Sequence, residues 1–450
     1  MLNMYPKGKI LTAALLLALP VSACTSESTM NGALTEPSTT PSISSNTAPT
    51  SSTASGTTSE ATSSSKPSST STTDSTNTSS NNQSSSTDRS SAANSTSSST
   101  SKKATTTATT TKKNASITDS LKGGYTVAAT KLDIPWSIQF SGDTVYITQR
   151  GGGIVQIKNG KQTVQKIQTK KVLRVVGEAG LTGFVLDPKF STNKTAYIYH
   201  AYEQNGTGYN RIVKIKLTSG VWKEQKALVE QIPGGRIHEG GRLAFGPDGL
   251  LYSTAGETNR RELSQDRSSL GGKILRMTSD GAVPKDNPFK NSYVYAYGLR
   301  NSQGLAWTSK GVLYASDHGP SGAPIPGTSQ TDRTGLDEIN VIKAGANYGW
   351  PKVMGKETAQ GITAPVYVAG TTAIAPSGIA ATPDDKILVA TLAGESLKLF
   401  DPSTKKMTDI LTDVGRVRDV AIHNGKIYVI TNNTSRGSAN ADDDRLLILK

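Results

Sequence analysis

Proton transfer near neutral pH calls for an imidazole, and the 450-residue chain offers four: His200, His238, His318 and His423. His238 opens the run HEGGRLAFGPDGLLYSTAGE, in which GPDG reads as a turn between two apolar strands. Pairing Phe245 with Leu250 across that turn sets His238 opposite Glu257 at the open end of the hairpin. A histidine held by a carboxylate can act as a general base, because the carboxylate stabilises the protonated ring. The later run YGLRNSQGLAWTSKGVLYASDHGP folds in the same way. Pairing Trp307 with Val312 sets Arg300 opposite Gly319 and Asn301 opposite His318. An arginine beside a base can hold an anion or a developing oxyanion. His238 and Arg300 are 62 residues apart, the same offset that separates the two hairpins, so they hold one position in two copies of a unit.

That unit recurs. DTVYITQR, KTAYIYHAY, DGLLYSTAGE, KGVLYASDHG, DKILVATLAG and GKIYVITNN each join a turn to a strand with a large anchor. The anchors are Tyr146, Tyr197, Tyr252, Tyr314, Leu388 and Tyr428, spaced by 51, 55, 62, 74 and 40 residues. Each interval suits a four-stranded sheet, and six of them indicate an all-β, six-bladed β-propeller. A large β-sandwich fits the strand content but gives no reason for six similar turns. Blades surround an axis, so equivalent hairpin ends meet at one rim. His238, Glu257, Arg300, Asn301 and His318 are therefore expected to converge there. His200 and His423 read as structural or exposed.

Composition confines the fold to part of the chain. Between Thr25 and Thr118, 56 of 94 residues are Ser or Thr and none is aromatic, which leaves too little apolar surface to offset ordering. Residues 24–118 read as a disordered tether spanning roughly 50–60 Å, and 119–450 as the propeller. Residues 1–23 carry Lys7 and Lys9, an apolar run from Ile10 to Val21, and Ser22-Ala23 before the chain's single cysteine, Cys24. This has the layout of a secretory signal, and Val-Ser-Ala-Cys resembles a bacterial lipobox. Cys24 is thus expected to be lipidated, anchoring the protein to the cell membrane on its extracellular or periplasmic side. One cysteine excludes an intrachain disulfide framework and any cysteine-rich metal site. The propeller part carries 41 Lys and Arg against 30 Asp and Glu. That excess suits an anionic cofactor or anionic cell-wall polymers. No stripe of basic and aromatic residues points to nucleic acid.

From Leu132 onward the chain resembles the soluble pyrroloquinoline-quinone (PQQ)-dependent glucose and aldose sugar dehydrogenases. The resemblance rests on IPWSIQF, GEAGLTGFVLDPKF, HEGGRLAFGPDGLLYSTAGE, GGKILRMTSDGAVPKDNPF, YGLRNSQGLAW, DHGP, DEINVIKAGANYGWP and GRVRDV, in that order. It implies a six-bladed propeller that oxidises the C1 hydroxyl of an aldose to a lactone, with PQQ and Ca2+ as cofactors and an unknown electron acceptor. By the same resemblance His238 is the general base, Glu257 its acidic partner, and Arg300 and Asn301 hold the quinone carbonyl region. Glu178 stands near the cofactor where the glucose enzymes have Gln, and His318 lies in the same cofactor-binding group. Arg416 and Arg418 contact the cofactor carboxylates. Their spacing puts both on one face of a strand; without the resemblance they would read as an edge residue and a partner of Asp419. The carbonyls of Gly319 and Pro320 are implied ligands of the active-site calcium, to which oxygen ligands are suited. Asp337, Glu338 and Tyr348 could belong to a second, structural calcium or to a turn without metal. The sequence also departs from the family. Ala393 stands where the glucose enzymes use Lys, no aromatic residue of APVYVAGTTAIAPSG matches those that cover the quinone, and an insert runs from Ser321 to Leu336. These departures leave open a non-catalytic carbohydrate- or surface-binding propeller, or a calcium-dependent lactonase.

Overall fold

The computed structural model describes residues 116–118, 121, 124–322, 333–436 and 439–450. The signal-like segment, Cys24 and nearly all of the Ser/Thr tract lie outside the described residues.

Six sheets follow one another along the chain. The first comprises Pro135–Ser141, Thr144–Gln149, Ile154–Lys158 and Lys161–Gln165. The second has the long strands Thr195–Gln204, Thr207–Thr218 and Val221–Pro233 beside Leu181–Leu186, with Ile167–Gln168 added as a short parallel edge. Gly240–Phe245, Leu251–Ala255, Lys273–Met277 and Val294–Tyr297 form the third. The fourth runs Ser302–Trp307, Leu313–Asp317, Glu338–Val341 and Tyr367–Val368. Pro376–Ala381, Ile387–Thr391, Ser396–Asp401 and Lys406–Leu411 make the fifth. The sixth joins Val417–His423, Lys426–Thr431 and Leu446–Leu449 to Tyr125–Ala129 from the other end of the chain. The first strand of each sheet touches the first strand of the next, and the sixth returns to the first, which closes a six-bladed propeller. Tyr125–Ala129 pairs antiparallel with Leu446–Leu449 and so fastens the ring with main-chain hydrogen bonds.

All six anchors of the sequence repeat sit in the second strand of their blade. Each packs against the following blade. Tyr146 meets Leu181 and Phe184, Tyr197 meets Leu243 and Leu251, and Tyr252 meets Leu305 and Leu313. Tyr314 meets Ile379 and Ile387, Leu388 meets Val420 and Ile427, and Tyr428 meets Ile138 and Val145. The repeat is therefore the mark of six equivalent interfaces, each of which removes apolar area from water.

The hairpin register corrects the sequence reading by one residue. Phe245 faces Leu251 rather than Leu250, and Trp307 faces Leu313 rather than Val312. Further along, a bulge lies between Gly240 and Leu243, and another between Ser302 and Gly304. Each extra residue restores the expected pairing at the open end, where Gly240 faces Ala255 and Ser302 faces Asp317. All six blades carry a bulge in this place, which re-aims the side chains at the start of the innermost strand.

Glycines let these innermost strands approach closely. A Cβ on Gly183 would overlap the carbonyl oxygen of Gly241 in the neighbouring blade. Gly183→Ala is expected to destabilise the fold by about 1–3 kcal/mol. Gly370→Ala, at an exposed site where a Cβ meets nothing within 4 Å, should stay within about 0.5 kcal/mol of the parent. Urea unfolding midpoints distinguish the two.

Candidate active site

The open ends of the hairpins surround a cavity of about 700 Å³. His238, Arg300, His318, Gly319, Pro320, Arg416 and Arg418 all line it, with Glu178 and Asp337. Glu257 is fully buried just behind His238.

His238 stands where Gly240–Phe245 begins, with a φ of 58° that non-glycine residues seldom adopt. Glu178 accepts its backbone N–H at 2.9 Å. Its Nδ1 lies 2.7 Å from Oε1 of Glu257. A carboxylate only accepts, so Nδ1 carries the proton and the lone pair of the neutral ring is on Nε2. Glu257 Oε2 has no partner among the described groups. The result is an oriented base with a buried carboxylate at its back.

The fourth blade places the second histidine. Asn301 accepts the N–H of Gly240 at 3.0 Å through Oδ1, which fixes its amide. Its Nδ2 then donates to Nδ1 of His318 at 3.4 Å, so the proton of neutral His318 sits on Nε2, an unpartnered donor. Burial holds this ring neutral, with its pKa pushed down to about 4. Asp317 accepts the N–H groups of Arg300 and Asn301 at 2.9 and 2.8 Å and so sets the backbone of both. Arg300 extends over the Trp350 ring at 5.4 Å and donates to Ser321 Oγ at 2.8 Å.

The rest of the wall is cationic. Arg416 donates to the Leu392 carbonyl at 3.1 Å. Arg418 donates to Gln303 Oε1 at 2.7 Å and to Asn432 Oδ1 at 3.0 Å. Burial, reinforced by Arg416, Arg242 and Arg150, pushes Arg418 down to about 9. Burial and the charge of Arg436 lower Arg416 in the same sense. Guanidinium groups that repel one another out of water favour an anion between them. The Nε atoms of Arg150, Arg416 and Arg418 are buried without partners among the described groups. Burial alone would raise the Glu178 carboxyl, but His238 and His318 when protonated, the His238 backbone N–H and the charge of Arg418 outweigh it and hold it low.

Asp419 is paired with Arg242 at 3.0 Å and not with its neighbour Arg418. Asp337 accepts N–H groups from Gly319, Ile374 and Ala375 at 2.8, 2.7 and 2.8 Å. Glu338 accepts from Asn340 and Gly355, and the Tyr348 hydroxyl is shared between Lys343 N–H and the Val341 carbonyl. The side-chain oxygens of these three residues are thus engaged with the fold, and no group of three His, Cys, Asp or Glu among the described residues is spaced for a metal. Gly319 and Pro320 do face the cavity. Ala393 faces it as well, so the wall is apolar there.

Sequence reasoning passed over Trp136, Arg150, Glu239 and Arg436, all of which line the cavity. A signal for Arg150 was present: it follows the anchor Tyr146 by four residues, as His318 follows Tyr314. Trp136 stacks under Arg242 at 4.4 Å and Arg418 at 5.8 Å.

Glu239 offers a test of the local electrostatics. Burial raises its carboxyl to about 7, against the hydrogen bonds from Asn210 and Gly235. The folded state therefore holds a proton that the unfolded chain has lost. Its stabilisation is complete below about pH 4.5 and declines toward pH 7, by up to about 1.4 kcal/mol per pH unit. Glu239→Gln should remove that component of the slope, read from urea midpoints between pH 5 and 8.

The fold and the site together define a propeller with a base and an anion-binding wall at one end of its channel. Residues 132–439 match the Glucose / Sorbosone dehydrogenase family. The aldose sugar dehydrogenase YliI of Escherichia coli is 30% identical over 348 residues, covering 69% of this chain and 90% of that protein. The quinoprotein glucose dehydrogenase B of Acinetobacter calcoaceticus is 31% identical over 264 residues, 51% of this chain and 52% of that one. Among solved structures, the PQQ-bound aldose sugar dehydrogenase of Streptomyces coelicolor is 37% identical with a TM-score of 0.65, covering 73% of this chain and 98% of that one. The chain belongs to the glucose/sorbosone dehydrogenase family.

Proposed function

We propose that the protein is a quinoprotein that oxidises the C1 hydroxyl of an aldose to the lactone, with PQQ in the arginine-lined cavity. The observation that carries this is the His238–Glu257 pair, with its bond of 2.7 Å, opening onto a cavity in which the Nε–H groups of Arg150, Arg416 and Arg418 are buried without partners among the described groups. A planar tricarboxylate suits that wall. Arg150, Arg416 and Arg418 would hold its carboxylates, while Arg300 and the Nε2–H of His318 would donate to its carbonyl oxygens. Bound there, PQQ supplies the acceptor for the hydride that leaves the sugar C1, assisted by a calcium ion as Lewis acid.

The chain does the rest. His238 Nε2 takes the proton of the C1 hydroxyl as the carbonyl forms. Glu257 holds the ring in the required tautomer and stabilises the imidazolium that results. Glu178 fixes the His238 backbone. The carbonyls of Gly319 and Pro320 are the residues we assign to the calcium, through hard oxygen ligands. The relatives named above for aldose, glucose and PQQ support this reading.

Reconstitution tests it. The purified protein, loaded with PQQ and calcium, should reduce an artificial electron acceptor with at least one member of an aldose panel. Absence of turnover on every sugar would refute the substrate assignment. We also propose a lipid anchor at Cys24 and an extracytoplasmic location. Radiolabelled fatty acid should enter the protein in cells and not its Cys24→Ala variant.

A further inference from the structure

A second cavity, of about 380 Å³, lies between the first and second blades and shares no lining residue with the active site. This volume falls within the range of small-molecule sites. The two cavities are nonetheless neighbours along the chain: Arg150 and Thr182 face the first, and Gly151 and Leu181 the second.

One wall is bare backbone. Gly152 and Gly153 hold φ values of 116° and 90°, which only glycine adopts readily. A Cβ on Gly152 would come within 3.3 Å of Leu173 Cδ2, and one on Gly153 within 3.0 Å of Val164 Cγ1. Any larger residue would narrow the cleft. Leu173, Leu181 and Ile198 supply aliphatic surface, and Val164, 56% exposed on an edge strand, stands at the opening. Flat peptide groups facing branched aliphatic side chains suit a planar ring.

Among the described residues of this lining, His200 is the one buried polar side chain, with no exposed surface. Its Nδ1 lies 3.1 Å from the Ala201 carbonyl. A carbonyl only accepts, so Nδ1 carries the proton. Burial keeps the ring neutral, with a pKa of about 4. Nε2 therefore bears a lone pair, and it has no partner among the described groups. A buried acceptor in a cleft lined mostly by glycine and aliphatic side chains, with Lys166 and Thr169 beside them, calls for a ligand with one donor.

We infer that this cleft binds a small hydroxylated aromatic molecule, of phenol or hydroquinone type, whose O–H donates to Nε2 of His200. The site stands on its own geometry and not on the quinone chemistry of the central cavity. Calorimetric titration of the full chain with 2-naphthol and with its methyl ether, 2-methoxynaphthalene, tests it. 2-Naphthol should bind saturably, at one per chain, and the ether at least tenfold more weakly. His200→Phe keeps the ring and removes the acceptor; it should lower 2-naphthol to the affinity of the ether. Val164→Trp, at an exposed position that leaves the core untouched, should weaken both probes at least tenfold by closing the opening. No saturable binding of 2-naphthol, equal affinities for the two probes, 2-naphthol binding that His200→Phe leaves intact, or titrations unchanged by Val164→Trp would each overturn the assignment.

Discussion

His238→Ala lowers kcat for aldose oxidation by about two to four orders of magnitude and leaves quinone affinity within a few-fold of the parent. The split follows from where the groups sit. Among the described residues the imidazole bonds to the protein through Nδ1, to Glu257, and the residue lines the cavity. The guanidinium groups of Arg416 and Arg418 are held instead by Leu392, Gln303 and Asn432, whose bonds to them do not involve His238. Removing the ring therefore removes the proton acceptor without disturbing the anion-binding wall. Histidine already carries the Cβ strain of a φ of 58°, so alanine adds little backbone strain there. Steady-state kinetics combined with a quinone titration separates the two effects. Retained kcat would take His238 out of the reaction.

Asp419→Ala destabilises the propeller by about 3–5 kcal/mol, a large share of what holds a typical domain together. Arg242 comes from the third blade and reaches across the channel. It donates to Ser137 Oγ in the first blade at 3.0 Å, to the Gln303 carbonyl in the fourth at 2.8 Å and to Asp419 Oδ2 in the sixth at 3.0 Å. Asp419 also accepts the N–H of Ile138 from the first blade at 2.9 Å. Side chains of both members are under a tenth exposed, at 9% and 6%. Deleting the carboxylate leaves a charged guanidinium out of water with no counter-ion, which costs far more than the net worth of the pair. Replacing both residues with apolar side chains, as in Arg242→Met with Asp419→Leu, should recover part of the loss. Chemical unfolding of the single and double variants checks this, and a single-variant loss under about 1 kcal/mol would show that the pair does not tie the blades.

The blade count was legible because each anchor faces the next blade, so one packing requirement is written six times. Tyr146, Tyr252 and Tyr314 could be aligned by eye, and the hairpins around Phe245 and Trp307 could be folded from their turns. What could not be read was the bulge. It leaves no fixed residue type, and here it compensated a register error of one residue, so His238 and Glu257 met for a reason that simple pairing does not contain. The cationic wall was only half visible. Arg416 and Arg418 stand in a recognisable motif, whereas Arg150 reaches the cavity from a turn and Arg436 from the short 3-10 helix Thr434–Arg436. Sequence neighbours on a strand point to opposite faces, so Arg418 turns to the cavity and Asp419 to Arg242.

Titration of the quinone-free protein with PQQ, followed by the absorbance of the quinone, decides whether the arginine-lined cavity holds the cofactor. Saturation is expected at one PQQ per chain, with affinity weakened at least tenfold by Arg416→Ala and nearly unchanged by His238→Ala. An absorbance that never saturates, or an affinity indifferent to Arg416, would contradict it.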